Sequence, residues 1–325
     1  MKTLITGATG FIGSALVKKL LSQGYCVRAL VLPGEDSQWL KDAGVEVVYG
    51  DLTDRNSLNG ICKNIDTVYH CAARVTDWGT KQQFYRAIYH ATRNLLEESK
   101  NKIQRFVYLS SIAALGLGKH LKGKKETDLP QKSGIPYNDA KADTEIMVRQ
   151  YHENKEFACT IVRPANVTGP GSVWVRDIVA RFQSVTGVPL IDGGQYSASL
   201  VCVENLVDGI IRAGTMEIAK GKTYHFRDNW DVTWKQYITD LGKYIGKSPQ
   251  GNIPFGVAWY SATVLESLCN LLHIRSPLTR LAVAVMGRDN DVDTTLTQTE
   301  LGWETMVAYD DAMQHIAAHT FKQIP

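Results

Sequence analysis

The segment Thr3-Leu4-Ile5-Thr6-Gly7-Ala8-Thr9-Gly10-Phe11-Ile12-Gly13 constrains the fold of this chain more than any other stretch. Apolar and β-branched residues lead into glycines three apart. The periodic run Ala15, Leu16, Val17, Leu20, Leu21 follows. This pattern predicts strand, tight turn and helix. Glycine at such a turn permits positive φ and lets a ligand approach the backbone. The free N–H groups and dipole of the helix start favour a phosphate. Gly7 is therefore assigned to the turn, Gly10 to the close approach of a pyrophosphate and Gly13 to helix–strand packing. An ordinary βα turn can carry the same glycines. Further βα units downstream favour the dinucleotide cradle.

A chain of 325 residues suits one large α/β domain plus a smaller second lobe. The expected boundaries are 1–163 with 198–227 for a dinucleotide-binding domain, and 164–197 with 228–325 for a substrate lobe. A net charge of +3, with basic residues clustered only from Lys119 to Lys125, disfavours nucleic acid as a partner. Cys26, Cys62, Cys71, Cys159, Cys202 and Cys269 include no C-x-x-C pair. They read as buried thiols in a reducing compartment, with no zinc site. The first strand starts within two residues of Met1, so no signal peptide is expected. No apolar run reaches the ~18–20 residues of a membrane span. The expectation is a soluble cytoplasmic protein with peripheral membrane contact left open.

Cys26–Leu32 is the second strand. Its end should meet the adenosine ribose, where an acid reads a 2′-hydroxyl and an arginine a 2′-phosphate. Val31 and Leu32 carry neither signal, Glu35 and Asp36 follow in the loop, and Arg28 lies earlier in the strand. The reading therefore covers NAD and NADP alike. A short helix around Ser37–Ala43 and a strand Val45–Tyr49 lead to Gly50-Asp51-Leu52. Asp51 suits either an adenine amino group or a helix cap or turn. After strand Thr67–His70, Cys71-Ala72-Ala73 leaves room for a ligand, and His70 reads as an interior histidine. Helix 82–100 has a broad apolar face. Strand Arg105–Leu109 ends in Ser110-Ser111, and Gly116 to Pro136 reads as a loop over the active face.

Tyr137 and Lys141 open a helix running to about Glu153, and four-residue spacing puts them on one face. A free tyrosine, with a pKa of ~10, exchanges protons poorly at neutral pH. A nearby ammonium can lower that value by about one to three pH units. Ser111 at the neighbouring strand end could hold a substrate oxygen. Together these supply a proton donor, its tuner and an orienter. Downstream, strand Ala158–Val162 leads into Arg163-Pro164-Ala165-Asn166, an irregular exit from the sheet. Leu200–Glu204 and the helix after Glu204 are expected to return to the sheet, and Thr223–Phe226 to be its last strand. Phe255–Leu272 is markedly apolar and reads first as second-lobe core. It also suits the wall of an apolar pocket or a membrane-facing surface.

Taken together, Thr6–Gly13, Gly50-Asp51-Leu52, His70–Ala73, Ser110-Ser111, Tyr137-x-x-x-Lys141, Arg163–Pro170 and Glu300-Leu301-Gly302-Trp303 resemble the extended short-chain dehydrogenase/reductase superfamily. Val75-Thr76-Asp77-Trp78-Gly79 and the apolar C-terminal lobe are most similar to its 3β-hydroxysteroid dehydrogenase and dihydroflavonol reductase branch. The resemblance implies a doubly wound parallel Rossmann sheet with a smaller, mostly helical C-terminal lobe. It implies Tyr137 as general acid/base, Lys141 on the nicotinamide ribose and Ser111 on the substrate oxygen. It also implies Gly7, Thr9, Gly10, Phe11 and Ile12 along the pyrophosphate, and Asp51 and Leu52 at adenine. Ala72, Ala73, Pro164 and Asn166 then lie near the nicotinamide. Many members carry a relay asparagine where Ile88 stands here. A homodimer through the helices near Phe84–Lys100 and Asp139–Glu153 is implied as well. The expected activity is NAD(P)-dependent hydride transfer with an apolar carbonyl or alcohol substrate. The alternatives are a nucleotide-sugar epimerase or dehydratase and a non-catalytic NAD(P)-sensing protein.

Overall fold

The computed structural model describes residues 1–184 and 187–320. Residues 185–186 and 321–325 of the expected substrate lobe lie outside the described residues. Seven strands form the main sheet: β1 (Lys2–Thr6), β2 (Cys26–Val31), β3 (Glu46–Tyr49), β4 (Thr67–His70), β5 (Arg105–Leu109), β6 (Ala158–Pro164) and β7 (Thr223–Phe226). All pair in parallel, in the order β7-β6-β5-β4-β1-β2-β3. The chain runs outward from β1 to β3, then restarts at β4 on the other side of β1. The reversal opens a crevice beyond the ends of β1 and β4, where ligands bind in such sheets. Thr6 pairs with His70 at that point, so Gly7 and Cys71 both emerge there.

The strands read as continuous apolar runs because both faces of the sheet are covered. Ile5 and Val107 belong to one core with Leu16, Leu20, Leu206 and Ile210. Their chain neighbours Leu4 and Phe106 belong to the opposite core with Leu95, Leu96, Met147 and Val148. The first core is closed by helices α1 (Phe11–Ser22) and α3 (Val203–Thr215). The second is closed by Ala91–Ser99 and α2 (Pro136–Glu153). A separate cluster around Val175, Ile178, Phe182, Trp234, Tyr237 and Leu241 forms the second lobe. Its anchor Trp234 is fully buried and donates its indole N–H to the Val285 carbonyl at 3.0 Å.

Several elements depart from the sequence expectation. Leu200–Cys202 does not rejoin the main sheet but pairs with Asn166–Thr168 in a two-stranded parallel sheet. Helix α3, which follows it, packs back on the main sheet. The loop after Gly116 contains a strand, Leu121–Lys124, paired with Asn290–Val292 from far along the chain. Helix 82–100 is interrupted: Lys81–Tyr85 passes into a π-helical segment, Arg86–His90, before Ala91–Ser99. Such bulges insert an extra residue and often occur at functional sites. The largest departure is helix α4 (Phe255–Leu271), expected as core. Only Ala258, Ala262 and Cys269 of it are buried, while Tyr260 is 75% and Leu271 77% exposed.

Candidate active site

The glycine segment leaves β1 and turns directly into α1. Gly7 has φ +70°, and a Cβ there would lie 2.9 Å from the Ala72 backbone. At Gly13 a Cβ would lie 2.0 Å from the Gly7 carbonyl oxygen, so the helix can approach the strand only as glycine. Gly10 is the N-cap of α1 and no side chain caps it, which leaves the first N–H groups of the helix to the cleft. A Cβ at Gly10 would meet only the Gly7 oxygen, at 3.2 Å. That contact is tight but less severe than at Gly7 or Gly13, and on the cleft side the missing side chain leaves the helix start open.

The cleft beyond this turn encloses about 1670 Å³. That exceeds what one small ligand needs and suits a dinucleotide with a second molecule beside it. Gly7, Thr9, Gly10, Phe11, Ile12, Asp51, Leu52, Ala72, Ala73, Ser111, Tyr137, Lys141, Pro164 and Asn166 all line it. The open helix start, the glycine turn and the roomy channel fit a nicotinamide dinucleotide. Among the described residues no cluster of His, Cys, Asp or Glu could hold a metal ion.

At the adenosine end Asp51 accepts from the Thr53 N–H at 2.7 Å, so it serves the turn while its residue lines the cleft. Arg28 does not line the cleft. It donates to the Ile61 carbonyl at 2.7 Å and to Glu46 at 2.8 Å. Sequence reasoning noted Glu35 only as a loop residue. The fold brings it into the cleft, where its carboxylate accepts from the Thr9 hydroxyl at 2.6 Å. A loop of this length has no local signal that fixes where it points, which is why the residue was missed.

At the other end Ser111 leaves β5 and caps a short 3₁₀ turn, accepting from Ala113 N–H at 3.1 Å. The start of α2 is held by its own loop. Asp139 accepts from the N–H groups of Ser133 and Gly134 at 2.9 and 3.1 Å, and buried Asn138 donates to the Gln131 carbonyl at 3.1 Å. Tyr137 sits on this anchored turn with its ring edge-on to Phe84, 6.2 Å between centroids. Burial pushes its pKa up to about 12, and a hydrogen bond with Ser111 offsets part of that rise. Lys141 is buried and donates to the Leu109 carbonyl at 2.7 Å, with its ammonium 5.0 Å from the centre of the Tyr108 ring. Burial lowers its pKa to about 8, while Glu145 pulls the value up. The lowering of Tyr137 by Lys141 expected from their spacing is absent from this arrangement, because burial is the larger influence and the ammonium is engaged by a carbonyl.

Behind the site, Arg163 and Glu145 form a fully buried pair, with Arg163 Nη2 2.7 Å from Glu145 Oε2. Ser110 donates to the same carboxylate at 2.5 Å. The network ties the ends of β5 and β6 to α2 one turn beyond Lys141. His70 is an interior residue, as expected. Its ring bonds Thr6 at 2.7 Å and Thr92 at 2.9 Å, and burial lowers its pKa to about 3. Ile88 lies in the π-helical segment, buried, and packs with Phe84, Ala140 and Tyr137, so an apolar side chain backs Tyr137 there.

The second lobe supplies an apolar wall that includes Trp174, Ile178, Val188, Leu281 and Met286. Arg275 closes one rim by bridging Asp77 at 3.1 Å and Asp177 at 2.6 Å.

Residues 3–225 match the NAD dependent epimerase/dehydratase family. A ketoreductase from Stigmatella aurantiaca, named for 4-hydroxy-2-methyl-3-oxo-4-farnesyl-3,4-dihydroquinoline-1-oxide, is 30% identical over 318 residues, covering 96% of this chain and 95% of the relative. The human sterol-4-alpha-carboxylate 3-dehydrogenase (decarboxylating) is 26% identical over 95% of this chain and 86% of its own length. Among solved structures, the UDP-glucose 4-epimerase of Thermotoga maritima with UDP-glucose superposes with a TM-score of 0.79 at 21% identity, covering 100% of each chain, a likeness of fold. With its glycine turn, parallel sheet and full-length relatives in agreement, the chain belongs to the NAD dependent epimerase/dehydratase family and is an oxidoreductase of that family.

Proposed function

We propose that this enzyme moves a hydride between a nicotinamide dinucleotide and a carbonyl or secondary alcohol carbon of an apolar substrate. The observation that carries the reading is the convergence of Ser111, Tyr137 and Lys141 on a cleft whose far wall is apolar. The bound nicotinamide would supply or accept the hydride. Tyr137 would give its proton to the substrate oxygen in reduction and take it back in oxidation. Its raised pKa keeps it protonated at neutral pH, the form that reduction needs. Ser111 would hold the oxygen, Lys141 would bind the nicotinamide ribose, and Pro164, Asn166, Ala72 and Ala73 would border the ring. Thr9, Gly10, Phe11 and Ile12 would take the pyrophosphate. The lobe 164–197 with 228–325 would hold the substrate body.

Glu35 supports NAD as the dinucleotide. Its carboxylate can accept from a ribose 2′-hydroxyl and would repel a 2′-phosphate, while Arg28 is committed elsewhere. The ketoreductase and sterol dehydrogenase relatives act on large apolar molecules by name, in keeping with the wall described above. A homodimer would use the helices near Phe84–Lys100 and α2, where Ile146 is 45% exposed. All six cysteines are free thiols, which suits a reducing compartment.

A nucleotide-sugar epimerase is the second reading, favoured by Arg176 exposed at the cleft rim. It needs cations for a diphosphate. Arg275 is paired with two carboxylates, and Arg181 donates to the carbonyls of Pro277 and Gly187 at 2.6 and 3.3 Å. The deciding experiment titrates the protein with NADH and NADPH, then screens apolar ketones and alcohols with the preferred dinucleotide. Net cofactor turnover on an apolar substrate is expected. Tightly retained NAD+ with interconversion of UDP-sugars and no net turnover would overturn the reading.

A further inference from the structure

The outward side of α4 is mostly apolar, with Ser261, Thr263 and Ser267 as its exposed polar residues. Tyr260, Val264, Leu268, Leu271, Leu272 and Ile274 follow one another at helical spacing and are each at least half exposed. A soluble surface helix normally shows its polar side to water. Here the charge within the helix, Glu266, is turned aside and held by Arg280 at 2.7 Å. Two of the outward hydroxyls fold back on the helix: Thr263 donates to the Trp259 carbonyl at 2.8 Å and Ser267 to the Thr263 carbonyl at 2.9 Å. Such bonds to the preceding turn satisfy a hydroxyl without water.

A basic loop borders the start of this stripe. Gly118 packs so closely on Trp259 that a Cβ would lie 3.0 Å from the indole ring. Lys119 follows it and is exposed, and Lys122 lies beyond, its side chain 75% exposed while its ammonium stands 3.3 Å from Asp289 Oδ2. The stripe also borders the mouth of the cleft. Ala258 on the same helix lines the cleft, as do Arg275 to Thr279 just after it.

From these features we infer that α4 docks on an anionic lipid surface, lying flat with its stripe in the headgroup–acyl boundary. Apolar bulk, an aromatic with a polar tip at Tyr260 and flanking lysines are what interfacial helices present to lipid. Docking this way brings the cleft mouth to the level where apolar molecules dissolve. A second copy of the chain fits less well. A two-fold interface sets the stripe against itself and gives the lysines at its start no anionic partner.

The test is co-sedimentation of the full chain with vesicles of phosphatidylcholine plus phosphatidylglycerol, against phosphatidylcholine alone. It needs neither substrate nor dinucleotide, so it is independent of the redox reading. Wild-type protein should bind the anionic vesicles. Leu268→Ser with Leu271→Ser should weaken binding by at least about tenfold, from the apolar area removed. Lys119→Glu with Lys122→Glu should weaken it on the order of tenfold. Met306→Ser, an exposed apolar site elsewhere, should leave it unchanged. Circular dichroism confirms that each variant folds. Absence of wild-type binding, or binding unaltered in the leucine variant, overturns the proposal. So does a dimer that the leucine variant dissociates, because α4 would then be covered by protein.

Discussion

The two ends of the cleft are built by different means. The dinucleotide end is backbone: Gly7 and Gly13 are set by contacts of 2.9 and 2.0 Å that a Cβ would make, and the helix start is open because Gly10 offers no cap. Seven consecutive residues, Gly7 to Gly13, make most of it, with the Ala72 backbone packed against Gly7. The opposite end is made of side chains from widely separated segments, such as Arg275 bridging Asp77 and Asp177, and Trp174 and Met286 in one lining. The difference teaches where tolerance lies. A main-chain cradle fails at single glycines, whereas a side-chain wall can be re-cut for another substrate without disturbing the cradle.

Tyr137 is where the two ends meet, and removing its hydroxyl should have the largest effect. Tyr137→Phe is expected to lower kcat by about 10²–10⁴-fold, with dinucleotide affinity nearly unchanged in a fluorescence titration. Near-normal turnover would show that proton transfer does not pass through this seam. Next comes the buried pair behind it. Arg163→Met leaves Glu145 buried without its partner and should cost about 3–5 kcal/mol in urea unfolding. A much smaller loss would mean that the two ends are held together by packing alone.

Gly13→Ala should cost about 1–3 kcal/mol through overpacking and weaken dinucleotide binding, measured by melting and titration. Full affinity would break the claim that the cradle tolerates no side chain. In the proposed mechanism alcohol oxidation needs the Tyr137 phenolate. Because the folded pKa is raised to about 12, the oxidation rate should climb about tenfold per pH unit from pH 6 to 8. Lys141 loses its charge near pH 8, so the slope should change there. Initial rates in both directions check this, and a flat oxidation profile would exclude Tyr137 as the base. Glu35→Gln should have the smallest effect, narrowing the preference for NAD over NADP by about tenfold, on the order of one charged hydrogen bond. An unchanged ratio would remove Glu35 from the ribose.

Features that depend on residues close in the chain were legible before folding. Glycine spacing dictates a turn because φ at Gly7 is positive, and the i, i+4 spacing places Tyr137 and Lys141 on one face of α2. The parallel order follows from alternating strands and helices, and His70 proved interior as its apolar strand implied. Only the tertiary structure decided the rest. Apolar periodicity marks a face without saying what covers it, so α4 read as core and emerged exposed. The direction of the Glu35 loop depends on Thr9, 26 residues earlier. Leu200–Cys202 took Asn166–Thr168 as partner because a short strand pairs with whichever edge the fold brings alongside. The proton affinities of Tyr137 and Lys141 followed burial, a property of the whole fold, over the mutual charge effect that their spacing suggested.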